Sequence, residues 1–445
     1  MRDDLRILLR LLRMARPHWR WMALGALCAL LTVLANIGLM ALAGWFIAAM
    51  AVAGAAGVLM NYLLPAAFIR LFAIVRTGGR YLERLTTHEA TLRLLSELRV
   101  WFYVRVESLA PARLQPYRGA DLLSRIQSDI DTLHHAYLRV AAPALVALVA
   151  VAAATVALAH YSGWAALVAL LFLLLAGAAI PLAMRMAGER PGIVLVESRA
   201  ALRSALVDTI QGMGELSVYG AASRQARAID ALTRSVSAQQ MLLSRLAGLS
   251  EGAVGLCAGI AMWGTLLISI SLVGDGHLHG PELPLVALLT LASFEVVGPL
   301  PLAFQRLGET LAAARRIFEI ADAQPQIAPV LDTSPRPRDF TLAMRGVRLR
   351  YDERAAWALD GVDLELNPGR CVAIVGASGA GKSSIVRVAL RFWEYQEGEI
   401  RLGGHDLRRY QPEDVRSLIA VVSQDTHLFN ATIRDNLLLA SPDAD

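Results

Sequence analysis

The chain has 445 residues, 56% of them apolar and 18% charged, with a mean hydropathy of +0.47. That balance excludes an ordinary soluble enzyme of this length and reads as a membrane protein carrying a soluble part. The net charge of +5 sits around apolar segments, without an aromatic-interleaved basic patch, which excludes a nucleic-acid footprint.

Residues 1–20 form a basic leader with six arginines, followed by six apolar runs at Trp21–Ala49, Ala55–Val75, Val140–Ala159, Trp164–Ala183, Gly252–Val273 and Leu283–Phe304. Each is near or above the roughly 20 residues a helix needs to cross about 30 Å of hydrocarbon. Helices are expected because a backbone in lipid must satisfy its own hydrogen bonds. The first run is too long for a signal-peptide core, so it is read as an uncleaved span. The segments 76–139 and 184–247 carry ten and eight arginines, whereas 50–54, 160–163 and 274–282 carry none. By the positive-inside rule the N-terminus, both long segments and the C-terminal part face the cytoplasm.

Both long segments keep a helical period, so the membrane helices are expected to continue into the cytoplasm. Each contains a turn-and-helix stretch, near 118–135 and 209–224, whose position at the tip of an excursion favours docking. Leu122, Ile126 and Ile130 form an apolar stripe at helical spacing in the first. The six-span region is bounded at 21–320. A linker at 321–340 comes next, where Pro325, Pro329, Pro335 and Pro337 resist helix. From Thr341 the texture becomes short strands and turns through 445. Cys28 and Cys257 lie in apolar runs and Cys371 in a predicted strand. They read as small buried hydrophobes, and no CxxC metal spacing occurs.

The stretch "IVGASGAGKSS" runs Gly376, Ala377, Ser378, Gly379, Ala380, Gly381, Lys382, Ser383, Ser384, and Lys382 is the only lysine in the chain. It fits G-x-x-x-x-G-K-[ST] between a predicted strand and a helix, the context of a phosphate loop. Backbone N–H groups would face the phosphates, aided by the helix N-terminus. Lys382 would reach the β- and γ-phosphates as a compact point charge, and the Ser383 hydroxyl would ligate Mg²⁺. Arginine's planar fork has different geometry, which explains a lysine kept in an arginine-biased chain.

Six spans, two long excursions and a C-terminal phosphate-loop domain resemble an ABC exporter half-transporter. The fold class is then a six-helix exporter membrane domain with cytoplasmic helix extensions, followed by an incomplete α/β nucleotide-binding domain. The resemblance implies that Tyr351 in "VRLRYDE" stacks on adenine and that Gln424 in "VVSQD" contacts Mg²⁺ and the attacking water. It also implies a signature motif, a second nucleotide motif with its catalytic glutamate, and a switch histidine. None occurs in the 445 residues. The chain by itself is therefore expected to bind ATP without hydrolysing it.

"GWFIAAMAVAGAAG", "MNYLLPAAFIRLFAIVRTGGRYLERLTTHEATLRLL" and "ATIRDNLLLASP" resemble the CydC family of bacterial exporters. That resemblance implies a heterodimer with a CydD-like half-transporter in the inner membrane, export of glutathione and cysteine, a role in cytochrome bd assembly, and haem binding through residues matching His88 and Arg84. From the residues themselves, Arg70 lies inside the second apolar run, where an ionised group usually faces a cavity or partner. Arg76, Arg80, Arg84 and His88 recur every fourth residue on one helix face. With Arg70, Arg76 and Arg80 they are candidates for cargo carboxylates or haem propionates, and His88 for haem iron. Arginines at a cytoplasmic exit also serve topology and snorkel to headgroups. His134, His135, His277 and His279 read as structural or solvated. Three functions compete: a thiol exporter subunit, a half-transporter for lipid or drug, and a non-transporting ATP- and haem-binding assembly regulator.

Overall fold

The computed structural model describes residues 2–114, 122–123, 125–327, 333–352, 354–424 and 426–440. The chain divides into two compact units, Met1–Val106 with Tyr117–Asp322, and Glu107–Pro116 with Ala323–Asp445.

The first unit is helical: α1 (Arg2–Met14), α2 (Arg16–Ala55), α3 (Leu63–Glu107), α4 (Arg125–Tyr161), α5 (Gly163–Gln211), α6 (Met213–Val218), α7 (Ala222–Gly274), α8 (Glu282–Ser293) and α9 (Leu300–Ala321). Four of them, α2, α4, α5 and α7, are long and apolar enough to cross a bilayer. Between α4 and α5 a single extended residue, Ser162, reverses the chain and its hydroxyl accepts the Ala165 N–H at 3.3 Å. So short a link makes the two helices antiparallel neighbours. Leu158, Ala165 and Ala169 then share a core with Ile37 and Ala41 of α2 and Leu285 and Val286 of α8. The small residues matter because lipid supplies no hydrophobic drive, and close packing must hold such helices together.

Two expected runs are drawn differently. The second, 55–75, straddles the end of α2, the turn at 56–62 and the start of α3. Gly57, at φ +66°, takes a left-handed conformation in that turn. The sixth, 283–304, is split between α8 and α9. Pro299 and Pro301 have no N–H to donate, and in the break Phe294, Glu295 and Val297 donate to carbonyls only three residues back.

Of the expected docking stretches, part of 118–135 (118–121 and 124) lies outside the described residues. From Arg125 onward the chain turns inward: Ile130 is fully buried, and Asp129 accepts from Arg316 Nε at 3.0 Å. The second stretch forms the short helix α6 between α5 and α7, with Val218 and Tyr219 exposed at its end.

The second unit holds β1 (Leu342–Leu349), β2 (Leu359–Leu366), α10 (Lys382–Ala389), β3 (Glu397–Leu402), β4 (His405–Asp406), α11 (Pro412–Leu418) and α12 (Ile433–Leu438). The strands form one antiparallel sheet in the order β2-β1-β3-β4. Its core gathers Met344, Val347, Leu349, Ile400 and Leu402 with Val388 of α10, Trp393 and Tyr410, and Ala112 from the excursion after α3 joins them. The strands expected at 371–376 and before Gln424 are not formed. These runs are irregular and exposed, with Val375 at 92% and Val422 at 98%. A continuous apolar run suits a strand covered on both faces, and no described residue pairs with either run. Cys371 is accordingly exposed, not buried.

Candidate functional site

In the second unit the phosphate loop leads into α10. Gly379 and Gly381 adopt φ of +85° and +88°, a region that a side chain enters only with strain. A Cβ on Gly381 would also run into the Ala358 carbonyl oxygen. Lys382 lies back along the loop and donates from Nζ to the carbonyls of Gly376 and Ala377, both at 2.7 Å. Its four-carbon stem therefore holds the ammonium over the residues that would cradle phosphate, and release from two carbonyls is the cost of reaching an anion. Gly376, Ala377, Ser378, Gly379, Ala380 and Ser383 are exposed, so the loop is open to a ligand.

The residues present fit MgATP: a glycine loop in a left-handed conformation that side chains would strain, a cation on its rim and a helix start carrying the Ser383 hydroxyl. Bound there, Mg²⁺ and the triphosphate would supply the charge that Lys382 and the loop amides neutralise. Ser384 is buried and its hydroxyl meets the Tyr351 hydroxyl at 2.7 Å. Tyr351 packs edge-on to Trp393, 4.7 Å between centroids, and takes a hydrogen bond from Arg387 at 3.2 Å. The structure thus brings Tyr351 to the loop's helix, with its ring against the core. Gln424 stays exposed at a bend that ends an irregular run and makes no hydrogen bond to the loop among the described residues. Burial pushes the Tyr395 and Tyr410 hydroxyls above their ordinary range, so both stay neutral at physiological pH, Tyr395 accepting from the Ile400 N–H and Tyr410 donating to the Leu402 carbonyl.

The first unit holds a second arrangement. Gly79 of α3 abuts Thr32 of α2, where a Cβ would come within 2.5 Å of its hydroxyl. This close approach sets Arg76 and Arg80 beside Asn36, which is buried within α2. Arg76 donates to Asn36 Oδ1 at 3.1 Å, the Asn36 amide donates to Glu295, and Arg80 lies 3.6 Å from Glu295. Glu295 comes from the break between α8 and α9, so the interrupted backbone delivers the counter-charge. Irregular backbone within an apolar region is tolerated where it lines a cavity. Here it lines one of about 510 Å³ with Arg80, Glu83, Arg84 and Thr87.

The arginine stripe is therefore divided. Arg76 and Arg80 are tied across to α2 and the break, and Arg84 faces the cavity. Arg70 and His88 are exposed and line neither described cavity. Arg70 sits about two turns from the start of α3 with its side chain exposed. Asn36 and Glu295 were not singled out from the sequence. The signal was available, because a polar or ionisable residue inside an apolar run marks function by default. Of the histidines set aside, His277 and His279 are exposed in the turn after α7, whereas His134 and His135 are partly buried and stack edge-on at 4.2 Å.

The sequence pattern of the ABC transporter family matches residues 359–445, which defines the class: a transport protein powered by an ATP-binding domain. The chain is 38% identical over 440 residues to the glutathione/L-cysteine transport system ATP-binding/permease protein CydC of Escherichia coli (strain K12), covering 98% of this chain and 77% of that protein. The protein of the same description in Haemophilus influenzae is 32% identical over 421 residues, with 94% and 73% covered. An ATP-dependent lipid A-core flippase of Xylella fastidiosa is 29% identical over 384 residues, covering 84% and 63%. The chain belongs to the CydC family of ABC exporters.

Proposed function

We propose that the chain is one half of a heterodimeric inner-membrane exporter that uses MgATP to move glutathione or cysteine from the cytoplasm, with a CydD-like half-transporter as partner. In this reading α3 and the α8–α9 pair complete six spans, residues 21–320 form the membrane domain and 341–445 belong to the nucleotide domain. The N-terminus and the nucleotide domain face the cytoplasm. The observation that carries it is the charged cavity of about 510 Å³ lined by Arg80, Glu83, Arg84 and Glu295. Small thiols such as cysteine and glutathione carry carboxylates and an ammonium, so a cavity with both signs of charge is complementary to them. Much of the remaining wall is apolar, with Ala26, Ala29, Val33, Leu138 and Val146, and it is the four ionisable groups beside it that favour a small charged cargo over a lipid or drug.

Nucleotide would sit on residues 376–384 with Tyr351 towards adenine, and Ser383 and Gln424 would hold Mg²⁺. Closure of two nucleotide domains would move the α6 stretch and the 118–135 stretch and so open the helices outward. Arg84 and the exposed His88 are also offered as a haem site, which would connect the exporter to cytochrome assembly. Loss of the haem absorbance in His88→Ala tests that part alone.

The test of the whole is uptake of labelled glutathione and cysteine into inverted vesicles carrying this chain with its partner. The expected result is ATP-dependent uptake that disappears in Lys382→Ala. Nucleotide binding without movement of either thiol would overturn the transport reading and favour an ATP-binding assembly regulator.

A further inference from the structure

A second cavity, of about 520 Å³, lies in the helical unit between α4, α5, α7 and α9 and shares no lining residue with the first. Its wall carries three arginines, Arg139, Arg199 and Arg306, against one carboxylate, Glu309. Arg199 is committed to Glu309 at 3.0 Å. Arg139 and Arg306 line this same cavity, are solvent-exposed, and have no hydrogen-bonded or ion-paired partner among the described residues. Solvent screens the repulsion between two exposed guanidinium groups on one cavity wall, and an anion between them relieves what remains while accepting from both.

A second observation points the same way. Gln305 is 3% exposed and lines this cavity. Its amide nitrogen donates to the Leu243 carbonyl at 2.7 Å, which fixes the orientation of the amide because a carbonyl only accepts. The other end, Oε1, is buried with no partner, as is Nδ1 of His135 on the same wall. A buried acceptor left unpaired is costly. The site is also built by close packing: a Cβ on Gly188 of α5 would press to 2.8 Å on the Gln305 side chain, so the glutamine is wedged in place with its oxygen fixed.

We propose that this cavity binds a small organic dianion bearing a hydrogen-bond donor, its two acidic groups on Arg139 and Arg306 and its donor on Gln305 Oε1. The volume is within the range of small-molecule sites, about 300–1,000 Å³. The proposal stands on this cavity alone and does not depend on the cargo reading above.

The probes are L-malate, with two carboxylates and a hydroxyl, succinate, which lacks the donor, and L-lactate, which lacks the second acid. Calorimetric titration is made on the full chain in its purified membrane complex, in a buffer free of polyvalent anions. Saturable malate binding is expected, weakened roughly several-fold for succinate, which loses one neutral hydrogen bond, and about ten-fold or more for lactate, which loses a charge-assisted contact. Arg306→Gln and Gln305→Glu should each weaken malate by a similar factor, while Arg84→Gln in the other cavity leaves it unchanged. The helical content and melting temperature of each purified complex, by circular dichroism, report that each variant is folded. No saturable malate binding by the wild-type complex, or binding indifferent to both Arg306→Gln and Gln305→Glu, would overturn the proposal and leave a water-filled cleft.

Discussion

The two units build their polar sites in opposite ways. In the nucleotide unit nine consecutive residues, 376–384, supply loop, cation and hydroxyl, and local backbone conformation does the positioning. In the helical unit Asn36, Arg76, Arg80 and Glu295 come from three segments up to 259 positions apart, and helix packing does the positioning. A contiguous site survives a shift of its surroundings, while an assembled one reports the relative position of the helices that make it. For the exporter proposed above that division would be functional: the nucleotide site would keep its shape while the proposed cargo cavity would change with helix movement.

Substitutions that break each kind of site should differ in size. The largest effect is expected from Lys382→Ala, which removes the only lysine and should lower ATP-driven uptake by about a hundredfold or more, as for other groups that stabilise a transferring phosphoryl. Lys382→Arg should fail comparably, measured as ATPase activity of the assembled complex. Next is Gly381→Ala, which sets a Cβ against the Ala358 carbonyl at φ +88°. It should cost ~1–3 kcal/mol of local stability, read as weakened nucleotide binding and a lower melting temperature.

Smaller effects are expected in the helical unit. Glu295→Gln leaves helix packing in place, releases Arg80 for a cargo carboxylate and leaves Glu83 to meet the cargo ammonium, so KM for anionic thiol should fall roughly five-fold, about 1 kcal/mol for an exposed ion pair. The smallest concerns Arg10 and Asp322, joined by two hydrogen bonds of 2.6 and 2.7 Å. The Arg10 guanidinium holds the Asp322 carboxyl below its ordinary value of 3.8. A depressed carboxyl contributes stability above the unfolded-state value and loses it as pH falls through the folded-state value. Asp322→Asn should therefore lower the melting temperature slightly near neutrality, and the difference from wild type should shrink in acid below pH ~4 and vanish once the folded-state carboxyl is protonated.

What could be read from the chain alone divides along the same line. The phosphate loop was legible because its chemistry is written in adjacent residues, and β1 and β2 because their alternation is local. Cys371–Gly376 reads as a strand too, yet a strand needs partners to pair with, and pairing is not a local property. Four of the long runs became helices long and apolar enough to cross a bilayer, but Pro299 and Pro301 inside an apolar run carry the break that run length conceals. The arginine period in α3 located Arg76, Arg80 and Arg84 correctly on one face. It could not separate the members that meet α2 and Glu295 from Arg70 and His88, because that depends on the Gly79–Thr32 approach. Gln305 shows the same limit: its unpaired oxygen exists only once Gly188 and Leu243 are beside it.

Whether the cavity lined by Arg80 and Arg84 holds the cargo is decided by ATP-dependent glutathione uptake into inverted vesicles carrying the partnered chain, wild type against Arg80→Gln/Arg84→Gln, with nucleotide binding measured alongside. If it does, uptake falls at least about tenfold through the loss of two charged contacts, and nucleotide binding is unchanged. Uptake at the wild-type level in that double variant would contradict a cargo site in this cavity.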